Sequence, residues 1–380
     1  MRTINSSDSL ADSPLVLTIV GARPQFIKSA ALTRALAGQR WTQRLLHAGQ
    51  HPDDHMGSDF LTELGVPPPD VRLRPRQPGR SIRMADMMAG IAEDIESSAP
   101  AIVVVYGDTD ATLAGALAAH HAGVPLVHVE AGLRSGDRSM PEELNRILTD
   151  SLSDAWITTG PGATQQLIAE GHSEAGIVEA GDVMLDVALA AKSTLSNRFP
   201  PAWPSEGPVL VCTLHRPGLV DDQEQLAAAL RAMAAWADQH QGTVYFPVHP
   251  RTQANLKAFG LSLPNQVVDP GPLGYLDMQA ALFHAHRVLT DSGGVQKEAW
   301  FQGSGGIVLR DTTEWTELLE LGASRLFAPA QLRSPSGVEE LVSALSGALT
   351  PPPVETAGLF GEGRAAERIV VALNRLIEPA

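Results

Sequence analysis

Three carboxylates fall within one span of the chain, VVVYGDTDATLAGALAAHHAGVPLVHVEAGLRSGDRSMPEELNRILTD (103–150). Asp108, Glu130 and Glu142 each stand where the local pattern ends a strand or opens a helix. In an open parallel α/β sheet the ligand crevice lies outside the carboxyl ends of the strands. A domain of ordinary purpose would end those strands in Gly, Ser, Thr or Asn. Three acids gathered at one crevice suit proton transfer, in which a carboxylate takes a proton as base and gives it back as acid.

Groups that would hold an anion lie elsewhere in the chain. Gly21-Ala22-Arg23-Pro24 follows an apolar run and opens a helix, with Lys28 one turn on. Pro24 fits the first helical turn, where its missing N–H costs nothing. A helix N-terminus with Arg23 and Lys28 beside it is an anion site. Near the other end, TDSGGVQKE (290–298) reads as strand, glycine turn and helix. Gly293 and Gly294 let backbone N–H groups approach phosphate oxygens, Ser292 adds a hydroxyl, and Glu298 suits the two hydroxyls of a ribose. His215 with Arg216, His249 with Arg251, and Gln50 with His51 each follow a strand pattern. The chain has neither G-x-G-x-x-G after its first strand nor G-x-x-x-x-G-K-[ST] anywhere, which argues against dinucleotide and P-loop chemistry. It also lacks H-x-x-x-H and H-E-x-x-H pairs, so no metal is assigned.

These residues need a scaffold. Runs at Leu15–Val20, 44–48, Ile102–Tyr106, 126–129, Ala155–Thr158 and 177–180 read as strands, with helical patterns such as 109–122 and 142–153 between them. After a Pro-rich lapse at 191–207 the rhythm restarts at 209–214, 243–248, 288–290 and 307–309. Alternating β and α with unbroken apolar strands predicts parallel sheets covered on both faces. The expected architecture is α/β: two Rossmann-like, doubly wound domains facing across a cleft. The first spans residues 1–185, the second 186–362, and a terminal helix at 363–380 packs back on the first.

Composition sets limits. The 380 residues suffice for two domains, and 44% hydrophobic with 19% charged residues describes a globular protein. A formal net charge of −15 argues against nucleic acid or an anionic membrane as partner, yet permits a small nucleotide held locally. The single cysteine, Cys212, excludes an internal disulfide and reads as a buried strand thiol. The opening residues lack the apolar stretch of a signal peptide, and no run reaches the ~18 apolar residues of a membrane span, so a cytoplasmic protein is expected.

Taken together, these motifs resemble the non-hydrolysing UDP-N-acetylglucosamine 2-epimerases. The likeness runs in order through GARPQFIK (21–28), GQH (49–51), YGDT (106–109), HVEAGLR (128–134), PEELNR (141–146), GD (181–182), HR (215–216), PVHPRT (247–252), TDSGGVQKE (290–298) and RDTTE (310–314). It implies the GT-B arrangement of glycosyltransferases, a homodimer, a UDP-sugar substrate and no cofactor. By residue match, Asp108, Glu130 and Glu142 are the acid/base residues, and His215 assists the leaving phosphate. Arg23, Lys28, Gln50, His51, Arg146, His249, Ser292, Gly293, Gly294, Glu298 and Arg310 form the UDP- and sugar-binding set. Arg146, one turn beyond Glu142, holds the pyrophosphate or orients that carboxylate.

The implied reaction inverts carbon 2 of a UDP-2-acetamido sugar by anti elimination of UDP and re-addition. In RDTTEWT (310–316), Trp315-Thr316 replaces the usual Arg-Pro and resembles the branch acting on UDP-2,3-diacetamido-2,3-dideoxy-glucuronate. Trp315 reads equally as a packing residue, so both substrates stay open. The Gly-rich stretch 303–306 replaces a segment that usually holds proline, and is expected to loosen a loop near the nucleotide. A hydrolysing epimerase, a GT-B glycosyltransferase and a non-enzymatic UDP-sugar sensor are the competing readings. The three acids count against the glycosyltransferase, and a sensor would need Arg23 and Glu298 but not Asp108 or Glu142.

Overall fold

The computed structural model describes residues 13–50, 58–76, 79–349 and 358–378. It divides into two compact units: the chain up to Val187 together with Phe360 onward, and Ala188–Leu359. Each is built on one parallel sheet, as expected of an α/β chain.

Unit 1 contains β1 (Leu15–Val20), β2 (Thr42–His47), β3 (Val71–Arg72), β4 (Ile102–Tyr106), β5 (Leu126–Ala131), β6 (Ala155–Thr158) and β7 (Ile177–Glu179). Their spatial order is β3-β2-β1-β4-β5-β6-β7, so the winding reverses between β1 and β4. That reversal is where the carboxyl ends of neighbouring strands part and leave room for a ligand. The strands are apolar because helices cover both faces. Leu17, Ile19, Val103 and Val105, for example, pack with Met87 and Ile91 of helix Arg80–Ser98 and Ala114 of helix Asp110–Ala122. Helix Ala365–Ile377 packs on helix Arg23–Leu36. Asp186 takes its first N–H groups (Ala365 at 3.1 Å, Ala366 at 2.7 Å), and Trp41 donates to Asn374 at 2.9 Å.

Unit 2 repeats the plan with β8 (Val209–Thr213), β9 (Thr243–Tyr245), β10 (Val267–Val268), β11 (Arg287–Thr290), β12 (Gly306–Val308) and β13 (Ser324–Leu326), in the order β10-β9-β8-β11-β12-β13. The reversal here lies between β8 and β11. Leu210, Cys212, Leu289 and Ile307 point to one face, against Met233 and Trp236. Val209, Val211 and Val288 point to the other, against Leu282 and Ala299. The period-2 alternation of a strand is thus spent on two apolar faces. Cys212 is fully buried, and burial holds its thiol well above its usual range.

Two expectations need correction. Helix Val183–Leu195 runs into the stretch read as a Pro-rich lapse, because that lapse has no proline before Pro200 to stop it. The stretch 303–306 enters β12 at its amino end, whereas ligands of a parallel sheet gather at the carboxyl end. A loosened nucleotide loop is therefore not what these glycines provide. Among the described residues, no helix is long and apolar enough to cross a membrane.

One backbone irregularity sits inside β5. The register against β6 shifts between Val129 and Ala131, leaving Glu130 as the extra residue of a β-bulge. Its φ of 72° lies in the left-handed region, which non-glycine residues enter at a cost of roughly 1–3 kcal/mol. Bulges re-aim a side chain, and this one turns the Glu130 carboxylate out of the regular pleat. We expect Glu130→Gly to be more stable than Glu130→Ala by about 1 kcal/mol, since both lose the carboxylate and only glycine relieves the strain. Paired denaturant titrations would read the difference, and equal midpoints would contradict it.

Candidate active site

The residues at the β1/β4 reversal of unit 1 form a tight cluster of opposite charges. Lys28, on helix Arg23–Leu36, pairs with Glu130, whose residue exposure is only 8%. Arg146, on helix Pro141–Leu152, pairs with Asp108 and also reaches Glu143 at 3.5 Å. Gly107 makes room for this cluster. It sits at φ 63°, and a Cβ there would lie 3.2 Å from Lys28 Nζ and 3.3 Å from Glu130 Oε2. Only glycine suits both demands.

Asp108 is the acid with the clearest electrostatic signature. Burial raises it above the ordinary carboxylate range. Arg146 and Lys28 pull the other way, while Glu130 and Glu142 add to the rise. Glu142 is itself solvent-exposed in the first turn of its helix, and its neighbour Glu143 points inward. Burial would raise Glu143 too, but N–H groups of Ser135 (2.8 Å) and Gly136 (3.0 Å), the Ser135 hydroxyl and Arg146 hold it below the usual range. Arg146 therefore faces Asp108 and Glu143. The reading that it orients Glu142 is corrected: the two lie one turn apart, but the guanidinium turns toward the strand ends.

Several polar side chains fix this cluster, and of these sequence reading gave a role only to Gln50. Gln25 is buried; its Oε1 accepts from the N–H groups of Gly21 (2.6 Å) and Ala22 (3.2 Å). Its Nε2 faces the Tyr106 carbonyl (2.6 Å) and the hydroxyls of Thr109 and Thr112. One amide thus ties the loop after β1 to the loop after β4. It also occupies N–H groups of the turn that the sequence reading offered to an anion, leaving the Arg23 side chain as that turn's cationic feature. Gln50 accepts from Ala111 N–H at 3.1 Å on the same edge. Asn145 donates to the Asp108 carbonyl at 2.8 Å and to Asp110 at 3.1 Å. His51 lies outside the described residues.

Behind the acids lies a fully buried pair. His128 Nδ1 stands 2.6 Å from Asp150, and Nε2 stands 2.8 Å from the Gly107 carbonyl. Asp150 also pairs with Arg134 at 2.7 Å and accepts from Gly132 N–H at 3.2 Å. Burial opposes ionisation of Asp150, but His128 and Arg134 outweigh it and hold the carboxyl below its usual range. This network clamps the backbone before Asp108 and after Glu130. A spacing pattern could not reveal it, because β5 and helix Pro141–Leu152 meet only in the fold.

In unit 2 the β8/β11 reversal gathers the nucleotide candidates. His215 follows β8, His249 follows β9, and their rings lie 5.3 Å apart. Burial and the neighbouring His215 hold His249 below the usual histidine range. Ser292 precedes helix Gly293–Phe301, whose N-terminus ends β11's turn. A Cβ at Gly293 would lie 2.4 Å from Glu314 Oε1, so a larger residue there would displace that carboxylate. Glu314 is bound in turn by Arg310 at 2.8 Å. Gly294 is exposed and open, and Glu298 is half-buried on the same helix. Trp315 is 4% exposed, with Lys297 Nζ 3.8 Å above its ring, so it packs under this helix.

Comparison with known proteins agrees with this geometry. A family model described as UDP-N-acetylglucosamine 2-epimerase matches residues 34–374. The chain is 39% identical to the UDP-2,3-diacetamido-2,3-dideoxy-D-glucuronate 2-epimerase of Pseudomonas aeruginosa, over 95% of this chain and 99% of that one. It is 33% identical to the UDP-N-acetylglucosamine 2-epimerase of Methanocaldococcus jannaschii, over 94% and 98%. A crystal structure of the Methanocaldococcus jannaschii UDP-GlcNAc 2-epimerase, in complex with UDP-GlcNAc and UDP, superposes with a TM-score of 0.78 at 31% identity, covering 95% of this chain and 99% of that one.

Two outcomes follow from the charge cluster. Replacing Asp150 by Asn should cost about 3–5 kcal/mol, because it strips a buried counter-ion from Arg134 and His128. The depressed Asp150 stabilises the fold above the unfolded carboxyl pKa of about 4, and that contribution is lost as pH falls through the lower folded value. The excess stability of wild type over Asp150→Asn should therefore shrink in acid, as urea titrations at several pH values would show. Replacing Arg146 by Gln removes the main influence lowering Asp108. If Asp108 must ionise during turnover, the acid limb of the pH–rate profile then moves to higher pH. An unmoved limb would exclude Asp108 as the group that sets it.

Proposed function

Because this chain belongs to the UDP-N-acetylglucosamine 2-epimerase family, we propose that it inverts carbon 2 of a UDP-2-acetamido sugar without hydrolysis, using the acids of unit 1 as proton carriers. The observation that carries the reading is the placing of Asp108 and Glu130, each against its own cation, at the winding reversal of the first sheet.

The hydrogen on carbon 2 is not activated by a carbonyl, so a base alone would remove it too slowly. Coupling proton loss to departure of UDP avoids a free carbanion. A carboxylate takes the proton on carbon 2, that electron pair becomes the carbon 1–carbon 2 double bond, and the carbon 1–oxygen pair leaves with the diphosphate. The product is 2-acetamidoglucal. In the return step a proton reaches carbon 2 from the opposite face, and a diphosphate oxygen re-forms the bond to carbon 1. Two faces call for at least two proton carriers, which Asp108, Glu130 and Glu142 supply. Lys28 and Arg146 set an opposite charge beside Glu130 and Asp108. In unit 2, His215 meets the leaving phosphate. His249, Ser292, Gly293, Gly294, Glu298 and Arg310 hold UDP in this unit, and Arg23 is the anion-binding candidate of unit 1.

For the sugar, the 39% identity to the diacetamido-glucuronate enzyme, against 33% to an N-acetylglucosamine enzyme, favours UDP-2,3-diacetamido-2,3-dideoxy-glucuronate. UDP-N-acetylglucosamine remains the second reading, on the family match. A homodimeric cytoplasmic enzyme is part of the same proposal.

Proton NMR in deuterated water tests it with both sugars. Epimer carrying deuterium at carbon 2, with little free sugar, is the expected product; accumulation of free sugar would mean a hydrolysing enzyme. Asp108→Asn, Glu130→Gln and Glu142→Gln should each lower kcat by about 10²–10⁴-fold while retaining UDP binding. Full activity in all three would remove the acids from the mechanism.

A further inference from the structure

Asp291 ends β11 with no exposure to solvent, and its two carboxylate oxygens have different tasks. Oδ2 accepts from the backbone N–H groups of His215 and Arg216, both at 2.8 Å. The Asp291 carbonyl accepts from Arg216 Nε at 3.1 Å. These bonds fasten the turn after β8 to the end of β11, across the winding reversal. Oδ1 makes no hydrogen bond with settled geometry among the described residues, and the His215 imidazole faces it with Nδ1 3.1 Å away. A buried carboxylate oxygen without a donor is costly. An N–H on Nδ1 removes that cost by a small rotation of a ring that is itself 36% exposed.

The neighbouring ring is held the opposite way. His249 Nδ1 accepts from the Arg251 backbone N–H at 3.2 Å, so its proton belongs on Nε2. Two histidines 5.3 Å apart are therefore fixed in opposite senses, one by a carboxylate and one by a backbone donor. Which nitrogen of a histidine works is set by the bond the other one makes.

We propose that Asp291 is a positioning residue for the reaction: it keeps the His215 proton on Nδ1 and so reserves Nε2 for proton exchange with the departing diphosphate. The assignment rests on the reading of His215 given above. As the carbon 1–oxygen bond breaks, the electron pair goes to the diphosphate oxygen, and the Nε2 proton of the imidazolium is shared with it. On re-addition the proton returns to Nε2. Asp291 balances the imidazolium charge throughout and touches no substrate atom. His249, always offering Nε2–H, serves as a hydrogen-bond donor and exchanges no proton.

The first test uses the unaltered protein. Nitrogen-15 NMR of selectively labelled histidine should show His215 with Nδ1 protonated, whether the ring is neutral or cationic. His249 should show Nε2 protonated. A neutral His215 carrying its proton on Nε2 alone would overturn the proposal without any mutation. The second test is Asp291→Asn, which keeps an acceptor for the two backbone N–H groups and removes the charge. We expect kcat to fall by about 10–100-fold with KM for the UDP-sugar changed less than about twofold, the pattern of an interaction made in the transition state. Wild-type kcat in this variant would overturn the proposal. His215→Asn separates the two levels. If that variant is fully active, the role given to His215 fails, even where the NMR finds its tautomer fixed by Asp291.

Discussion

Charge neutralisation at the carboxyl edge of the first sheet is the constraint on which the rest of this structure depends. Asp108 and Glu130 come from adjacent strands, and removing either from bulk water without a cation would leave it protonated. Lys28 and Arg146 stand opposite them as counter-charges, and each is delivered by a helix flanking those strands. The result is a site that is charged in detail and close to balanced in sum, inside a chain of net charge −15.

The geometry of those acids is secured mainly by uncharged or internally paired groups. Gln25 joins the first and fourth strand loops, Asn145 holds the Asp108 carbonyl, and the buried His128–Asp150 pair braces the backbone beside both acids. Glu130 is held at a strained φ in a bulge by this surrounding order. Strain of this kind persists only where neighbours over-determine the conformation. The site accordingly spends stability on aiming one carboxylate, and the apolar faces of the sheet offset the cost.

The second sheet uses the same winding reversal for a different purpose. Where the first gathers acids, the second gathers two histidines, a glycine turn and a helix N-terminus. Gly293 is fixed by the Arg310–Glu314 pair beneath it, so residues that read as separate motifs are one packed unit. Trp315 belongs to that unit as a buried support under Lys297.

The sequence by itself determined the class of fold and the types of residue at its strand ends. Apolar runs separated by helical patterns are the pattern of buried parallel strands, and the ten read in this way all appear. The strands β3, β10 and β13 escaped notice because two or three residues are too few to show a period. Asp108, Glu130, His215 and the glycine turn were legible because acids, histidines and glycines are uncommon where strands end. Tertiary structure alone decided which charge faces which. Lys28 meets Glu130 across 102 positions and His215 meets Asp291 across 76, and no local spacing encodes such partners. Gln25, Asn145, His128 and Asp150 look like ordinary polar residues until the sheet closes. What a polar side chain does is set by the atom opposite it, and only folding brings that atom there.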